Sequence, residues 1–236
     1  MPVKLITFDL DYTLWDPTAS LIAAEEAMYA WIREHSPVTA SFYPPEKMRE
    51  YKNWLAASYP EMAGRVSELR TETLRRVFMQ SGHDRDSARD MAAAAFAAFF
   101  QARSEGLELF DGVHNALSTL GSDMTLMAIT NGNADLKKAG HAGYFSAHFN
   151  ADQHGRAKPA PDMFLAALSQ AGVSASEAIH IGDHEEQDIA AAAALGMKTL
   201  WFNPQQKAWP LSEVTPDDEF SHWSQLVQKV QALGGN

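Results

Sequence analysis

Hydrophobic positions follow two different spacings along the chain, and these divide it into two parts. Residues 3–8 form a short apolar run with β-branched members, which predicts a buried strand. Asp16 and Pro17 then predict a helix N-cap followed by proline at the first helical position. From there to about Gly106 the spacing is helical, most clearly in residues 19–34, 45–58, 66–81 and 86–104.

After Gly106 short apolar runs alternate with helical segments. The runs predict strands at residues 124–130, 147–151, 178–181 and 198–202. Helical spacing predicts helices at residues 113–120, 162–171 and 186–195. Such alternation implies right-handed crossovers and a mainly parallel sheet with helices on both faces.

We therefore predict an α/β fold with two domains. Residues 1–16 and 107–236 would form a three-layer, Rossmann-like core around a mainly parallel sheet. Residues 17–106, which lie between the first two strands, would form an inserted, all-helical cap domain.

Composition and charge narrow the class of protein. Of 236 residues, 46% are apolar and 21% are charged, which is typical of a soluble globular protein. The formal net charge of −11 disfavours nucleic acid and anionic membranes as partners, because both would repel the chain. There is no cysteine, which excludes disulfides, thiolate metal sites and a cysteine nucleophile. Asp9 and Asp11 interrupt the first apolar run, so this run cannot be the core of a signal peptide. We expect a cytoplasmic monomer or homodimer that does not enter a membrane.

Polar side chains lie just beyond the carboxyl ends of several predicted strands. In an open parallel sheet, ligands bind beyond the carboxyl ends of the strands, so these side chains are expected to meet at one edge. The candidates at the strand ends, and in the loop between two of them, are Asp9, Asp11, Thr130, Asn131, Lys158, Asp183 and Asp188.

Each of these residue types suits phosphoryl transfer. Asp9 can act as a nucleophile, since carboxylates form aspartyl-phosphates, and Asp11 can protonate the leaving oxygen and later deprotonate water. Asp9 and Asp183 can share a Mg²⁺ ion, which prefers a few carboxylates, waters and the substrate phosphate. Lys158 and the Thr130 hydroxyl can hold the phosphoryl oxygens. Any one of these motifs alone could be explained by a turn, a helix cap or a surface loop. Their occurrence together favours an active site.

Four motifs, in the order found here, resemble those of the haloacid dehalogenase superfamily of hydrolases with a helical cap. They are Asp9-Leu10-Asp11-Tyr12-Thr13, Thr130-Asn131, Lys158-Pro159 and Gly182-Asp183 with Asp188. The resemblance covers nearly the whole chain. It implies catalysis through a covalent aspartyl-phosphate, with Mg²⁺ as the cofactor.

The resemblance also implies a role for each motif residue. Asp9 would be the nucleophile and a metal ligand, and Asp11 the acid/base whose main-chain carbonyl also binds the metal. Asp183 would bind the metal, with Asp188 supporting it directly or through water. The remaining motif residues, which would contact or steady the phosphoryl group, are Thr130, Asn131 and Lys158.

The superfamily also contains dehalogenases, so the fold alone does not decide the reaction. Halide leaves without a proton, and members that cleave carbon–halogen bonds generally lack an acid at the position of Asp11 and need no metal. Asp11 therefore favours hydrolysis of a small phosphorylated metabolite. The alternatives are a 2-haloacid dehalogenase and a catalytically silent binding protein of the same fold.

A narrower resemblance concerns the substrate. Residues 129–134 and 154–159 are similar to bacterial phosphatases that act on flavin mononucleotide and on a ribitylamino-uracil phosphate of riboflavin synthesis. Arg156 is a candidate anion contact, with solvated surface charge as the equal alternative. Candidates for stacking on a flat leaving group, although aromatic residues in helices more often form core, are Trp15, Tyr43, Trp54 and Tyr59.

Overall fold

The computed structural model describes residues 2–234, and a parallel sheet of six strands organises them. The strands are β1 (Leu5–Phe8), β2 (Thr125–Thr130), β3 (Ala147–Asn150), β4 (Ala178–Gly182), β5 (Lys198–Phe202) and β6 (Asp218–Phe220). Their order in the sheet is β3-β2-β1-β4-β5-β6, and every neighbouring pair is parallel. The predicted fold class, a Rossmann-like core with a parallel sheet, is confirmed.

Helices surround the sheet and fill the segment between β1 and β2. The first six are α1 (Thr18–His35), α2 (Pro37–Phe42), α3 (Pro45–Ser58), α4 (Pro60–Ala63), α5 (Val66–Gln80) and α6 (Arg85–Arg103). The later ones are α7 (Val113–Leu120), α8 (Ala151–His154), α9 (Asp162–Ala171), α10 (Ala191–Ala194) and α11 (Leu226–Gly234). None of these helices, within residues 2–234, has the length and hydropathy that a bilayer crossing requires.

Contacts divide the chain into two compact units. One contains the chain up to Asp16, Glu108–Gly132 and the chain from Gly140 onwards. The other contains Pro17–Leu107 and Asn133–Ala139. The cap predicted from the sequence did not include the second of these segments, which follows β2 and has no helical spacing.

The sheet of the first unit is covered on both faces. Side chains alternate between the faces with a period of two, so Leu5 points to one face and Phe8 to the other. On the first face Leu5 packs with Met163 and Phe164 of α9 and with Ala192 of α10 in one buried cluster. On the opposite face the ring of Phe8 stacks on Trp223, with 6.2 Å between ring centroids. The result is the three-layer core expected for a parallel sheet.

The second unit is a helical bundle with its own core. Met28 and Ile32 of α1, Phe78 of α5 and Phe99 of α6 belong to one buried cluster. Alanine residues on α6 at helical spacing, among them Ala88, lie in the same cluster and let neighbouring helices approach closely. This unit therefore does not depend on the sheet for its apolar core.

Candidate active site

The candidate site lies where the order of strands in the sheet reverses. The chain places β2 and then β3 on one side of β1, and β4 and then β5 on the other. Ligands bind at such switch points, beyond the carboxyl ends of the two central strands. Asp9 follows β1 directly, and its main-chain N–H donates to Ile181 O at 2.9 Å. Asp183 follows β4, so the two acids leave adjacent strands at the same edge.

Lys158 joins two of the acids through its buried ammonium group. Its Nζ donates to Asp9 Oδ1 at 2.6 Å, to Asp188 Oδ1 at 2.5 Å and to Ile129 O at 3.0 Å. The side chains of Lys158 and Asp188 are each 1% exposed. An ammonium group has three donors, so Lys158 is saturated and its position is fixed.

Asn131 holds the loop that carries Lys158. The main-chain N–H of Lys158 donates to Asn131 Oδ1 at 2.7 Å, and Asn131 Nδ2 donates to Lys158 O at 2.9 Å. The same Nδ2 donates to Gln187 Oε1 at 2.9 Å. These bonds use both donors and the oxygen of the amide, so this side chain positions the lysine loop.

Three carboxylates meet at the site. Asp9, Asp183 and Asp188 each offer an oxygen within 4.8 Å of the others, the one such group of possible metal ligands among residues 2–234. Three acids face one lysine, so the cluster has an excess of negative charge. A cavity of about 280 Å³ borders Asp183, with Tyr12 and Phe110 in its wall. A hard cation that keeps several waters, such as Mg²⁺, fits this set of oxygen ligands and the adjoining space.

The pKa values of the acids follow from burial and from this crowding. Burial raises the pKa of Asp9 well above its usual value, and the charges of Asp188 and Asp183 act in the same direction against Lys158. Burial, together with the charge of Asp188, raises the pKa of Asp183 to about 6. Burial also acts to raise the pKa of Asp188, but Lys158 and His180 outweigh it and hold that pKa below the usual range. A divalent cation bound among these acids would oppose the raised pKa values of Asp9 and Asp183, because it favours the ionised form of each carboxylate.

A tight turn after β1 places the remaining residues of the first motif. Thr13 N–H and Leu14 N–H donate to Leu10 O at 3.2 and 2.8 Å, and Tyr12 adopts a positive φ of 62°. The turn directs Thr13 Oγ1 to Asp183 Oδ1 at 3.0 Å. Thr13 was not among the predicted site residues, although the first motif contains it; its spacing from Asp9 gave no separate signal.

Asp11 is fixed by Trp15. The indole Nε1–H donates to Asp11 Oδ1 at 2.8 Å, and Trp15 is 0% exposed. Of the two interpretations of Trp15, stacking on substrate or burial in the core, the structure supports burial, and the indole N–H orients an acid. A Cβ added to Gly132 would lie 2.5 Å from Asp11 Oδ2 and 3.3 Å from Thr130 Oγ1, so only glycine lets these groups approach. The site thus brings Asp11 and Thr130 together around one glycine.

His180 is a site residue that sequence reasoning missed. It lies inside β4, where the apolar neighbours predict only a buried strand residue, and its Nε2 lies 3.1 Å from Asp188 Oδ1.

Arg156, a candidate anion contact, forms an ion pair with Asp162 at 2.9 Å, and its side chain is 67% exposed. The pair supports the alternative prediction of solvated surface charge for Arg156.

The fold and the site define a class of protein with a parallel α/β sheet and an acidic centre at its topological switch point, and comparison with known proteins agrees with this class. Residues 3–196 match the family described as haloacid dehalogenase-like hydrolase. The chain belongs to this family.

Relatives within the family differ in the reactions their names describe. The 5-amino-6-(5-phospho-D-ribitylamino)uracil phosphatase YigB of Escherichia coli (strain K12) is 28% identical over 232 residues, which cover 97% of this chain and 96% of that protein. The phosphoserine phosphatase of Thermus thermophilus is 26% identical over 224 residues, covering 84% and 88%. A crystal structure of a 2-haloacid dehalogenase from Pseudomonas syringae pv. Tomato DC3000 is 39% identical, covers 98% of each chain and has a TM-score of 0.90.

Proposed function

We propose that the protein is a Mg²⁺-dependent phosphatase that hydrolyses a small phosphorylated metabolite through an aspartyl-phosphate on Asp9. The observation that supports this most is the position of Lys158, whose ammonium group joins Asp9 to Asp188 beside Asp183. A carboxylate held in one orientation beside a fixed cation is suited to attack an anionic phosphate. The phosphatase names of two relatives agree with this reading.

Asp9 and Asp11 divide the chemistry between them. A carboxylate oxygen of Asp9 forms a bond to phosphorus, and the bond from phosphorus to the ester oxygen breaks. Asp11 gives its proton to that leaving oxygen, and then takes a proton from the water that hydrolyses the aspartyl-phosphate. The Trp15 N–H holds Asp11 in one orientation for both steps.

Asp9 and Asp183 are the proposed side-chain ligands of Mg²⁺, with the main-chain carbonyl of Asp11. Bound there, the ion would neutralise charge on the phosphoryl oxygens. Asp188 Oδ1 already accepts from Lys158 and His180, and its Oδ2 accepts from His184 N–H at 3.0 Å. We therefore assign Asp188 mainly to holding Lys158, with contact to the metal through water.

The local charge explains how a protein of net charge −11 can receive an anion. The acids of the site are matched by Lys158 and by the proposed divalent ion, so the phosphate meets positive charge at short range. Thr130, whose Oγ1 accepts from Gly132 N–H at 2.9 Å, lies at the end of the neighbouring strand and is assigned to the phosphoryl oxygens. Flavin mononucleotide and a ribitylamino-uracil phosphate are the proposed substrate candidates; the cytoplasmic location and the monomeric or dimeric state stay predictions.

A substrate screen tests the proposal. Phosphorylated metabolites, flavin mononucleotide among them, are assayed with and without Mg²⁺ and ranked by kcat/KM. We expect Mg²⁺-dependent phosphate release from at least one of them, and no release by an Asp9→Asn control. A metal-replete preparation that releases phosphate from none of them would refute the proposal.

A separate assay of halide release from a 2-haloacid addresses the second candidate, a 2-haloacid dehalogenase. The 39% identical crystal structure that carries this name favours it. Asp11 opposes it, because a halide ion needs no proton to leave and an acid there would have no task. Halide release from a 2-haloacid without Mg²⁺ would establish the dehalogenase and displace the phosphatase.

A further inference from the structure

Two polar side chains lie behind the site, inside the sheet. Thr7 of β1 and His180 of β4 are paired in the parallel register, and both are 0% exposed. Thr7 Oγ1 lies 2.8 Å from His180 Nδ1, and His180 Nε2 lies 3.1 Å from Asp188 Oδ1. The ring of Phe164 packs edge-on against the imidazole at 4.9 Å between centroids. Buried polar groups are normally hydrogen-bonded, and these two side chains have each other and Asp188 as partners.

The direction of each hydrogen bond, from Thr7 through His180 to Asp188, follows from the charge of the Asp188 carboxylate. Asp188 is an ionised carboxylate and can only accept, so His180 Nε2 must carry the hydrogen. A neutral imidazole has one N–H, which leaves Nδ1 as an acceptor and makes the Thr7 hydroxyl its donor. Burial lowers the pKa of His180, and the charge of Lys158 acts in the same direction, whereas Asp188 acts to raise it.

We propose that Thr7 and His180 are positioning residues for the nucleophile, acting through Asp188 and Lys158. Thr7 fixes the tautomer and ring angle of His180, and Nε2–H then fixes Asp188 Oδ1. The same oxygen accepts from Lys158 Nζ at 2.5 Å, and Lys158 holds Asp9 at 2.6 Å. Hydrogen bonds to a ligand's partners orient the ligand, and here the orientation extends from the sheet interior to Asp9. The proposal rests on the phosphatase function for its kinetic consequence but not for its geometry.

Nitrogen NMR of the imidazole tests the geometry without any turnover. In ¹⁵N-histidine-labelled wild-type protein, His180 should show an unprotonated Nδ1 and a protonated Nε2, and both signals should be assigned by comparison with a His180→Gln variant. A neutral imidazole protonated at Nδ1 would overturn the proposal. So would an imidazolium, in which Nδ1 donates to Thr7 and the hydroxyl turns to Ile179 O at 3.4 Å.

Paired substitutions test the kinetic consequence. Thr7→Val keeps the shape of the side chain but leaves Nδ1 without a donor, and we expect kcat for p-nitrophenyl phosphate to fall about 10-fold with KM little changed. Thr7→Ser should restore most of kcat. Thr73→Val, which removes another buried hydroxyl, bonded to Leu69 O in the helical unit, should leave kcat unchanged.

His180→Gln and His180→Leu extend the test if Thr7→Val does not fold. The Gln side chain keeps a donor for Asp188, so it should retain more of kcat than Leu does. Folded Thr7→Val and His180→Leu variants with wild-type kcat would overturn the proposal. If the wild-type protein releases no phosphate from any ester, the proposed function fails, while the NMR signals of His180 still decide the geometry.

Discussion

At the scale of single residues, the site depends on a buried lysine that two carboxylates keep charged. Burial acts to lower the pKa of Lys158, but Asp188 and Asp9 outweigh it and raise that pKa above the usual value. Removing one partner of a buried ion pair is far more harmful than replacing the whole group, because a charge is left unpaired. The lysine therefore has a structural role that can be measured apart from catalysis.

Lys158→Met should destabilise the metal-free protein by about 3 kcal/mol or more, since Asp9 and Asp188 would then face each other without a cation. Urea unfolding measures the loss. Adding Asp188→Asn to this variant should recover part of it, because the substitution removes one of the two facing charges. A Lys158→Met protein as stable as wild type would show that the ion pair does not support the fold.

Asp11→Asn separates the acid from the nucleophile. Nitrophenolate leaves readily without a proton, whereas an alkoxide does not, so hydrolysis of alkyl phosphates should slow much more than that of p-nitrophenyl phosphate. Comparison of kcat for both ester types measures the difference. Equal slowing of both would remove Asp11 from the acid/base role.

The sequence made the acids candidates because they follow recognisable strands, and Lys158 because it lies in a loop between two of them; the roles of these residues stay predictions. It did not locate His180, since a histidine inside an apolar strand is usually a satisfied core residue. It left the role of Trp15 open, because a tryptophan next to the first motif is compatible both with stacking on substrate and with burial. Only the fold shows that this indole donates to Asp11. Contacts of this kind depend on side-chain directions that spacing along the chain does not encode.

At the scale of elements, the main chain at Gly182, the carboxyl end of β4, lies unusually close to the side chain of Asp188. A Cβ added to Gly182 would lie 2.5 Å from the Cβ of Asp188. Asp188 is in Glu185–Ala190, a stretch of π-helix that follows the strand. π-helical turns are rare and occur mostly at functional sites, and this one directs Asp188 back over the strand end.

Gly182→Ala should therefore displace Asp188 and, through it, Lys158. We expect a loss of about 1–3 kcal/mol in stability from overpacking, together with a large fall in kcat. Gly143→Ala is the matched control, because a Cβ there meets nothing within 4 Å. Thermal unfolding and turnover of both variants measure the effect; a Gly182→Ala enzyme that behaves like the control would contradict the close packing.

Elements with long periodic patterns were predicted well, and irregular ones were not. The four helices predicted in the inserted segment and the first five strands lie within a few residues of their predicted positions, whereas the short helices α2 and α4 were missed. The prediction of one α-helix at residues 186–195 was wrong, because π-helix precedes the α-helical Ala191–Ala194. Asp16 is not the N-cap of α1; Pro17 occupies that position. β6 and α11 were missed, since three residues and a short amphipathic segment gave too weak a pattern.

At the scale of the whole molecule, an acidic chain concentrates three carboxylates in one place and leaves their charge to be balanced. Burial is the main cause of the raised pKa of Asp183, about 6 against a usual 3.8, and the charge of Asp188 adds to it. In the metal-free protein, the stability contributed by protonated Asp183 is fully present below its usual pKa and is lost as pH rises through about 6. A divalent ion that binds the ionised form restores it.

Mg²⁺ should therefore raise the unfolding temperature more at about pH 7.5 than at about pH 5, because protons compete with the metal for the carboxylates at the lower pH. Differential scanning calorimetry with and without Mg²⁺ at both pH values measures the shift. An Asp183→Asn variant should lose most of the response. An equal shift at both pH values would contradict the assignment of Asp183 as a ligand.

The most direct test concerns Asp9 itself. Wild-type and Asp9→Asn proteins are purified with Mg²⁺, shown to be equally folded by circular dichroism, and assayed with p-nitrophenyl phosphate. We predict that the substitution reduces turnover to the background rate, because an amide cannot form the aspartyl-phosphate. Turnover by the folded variant at a rate near that of wild type would show that Asp9 is not the nucleophile.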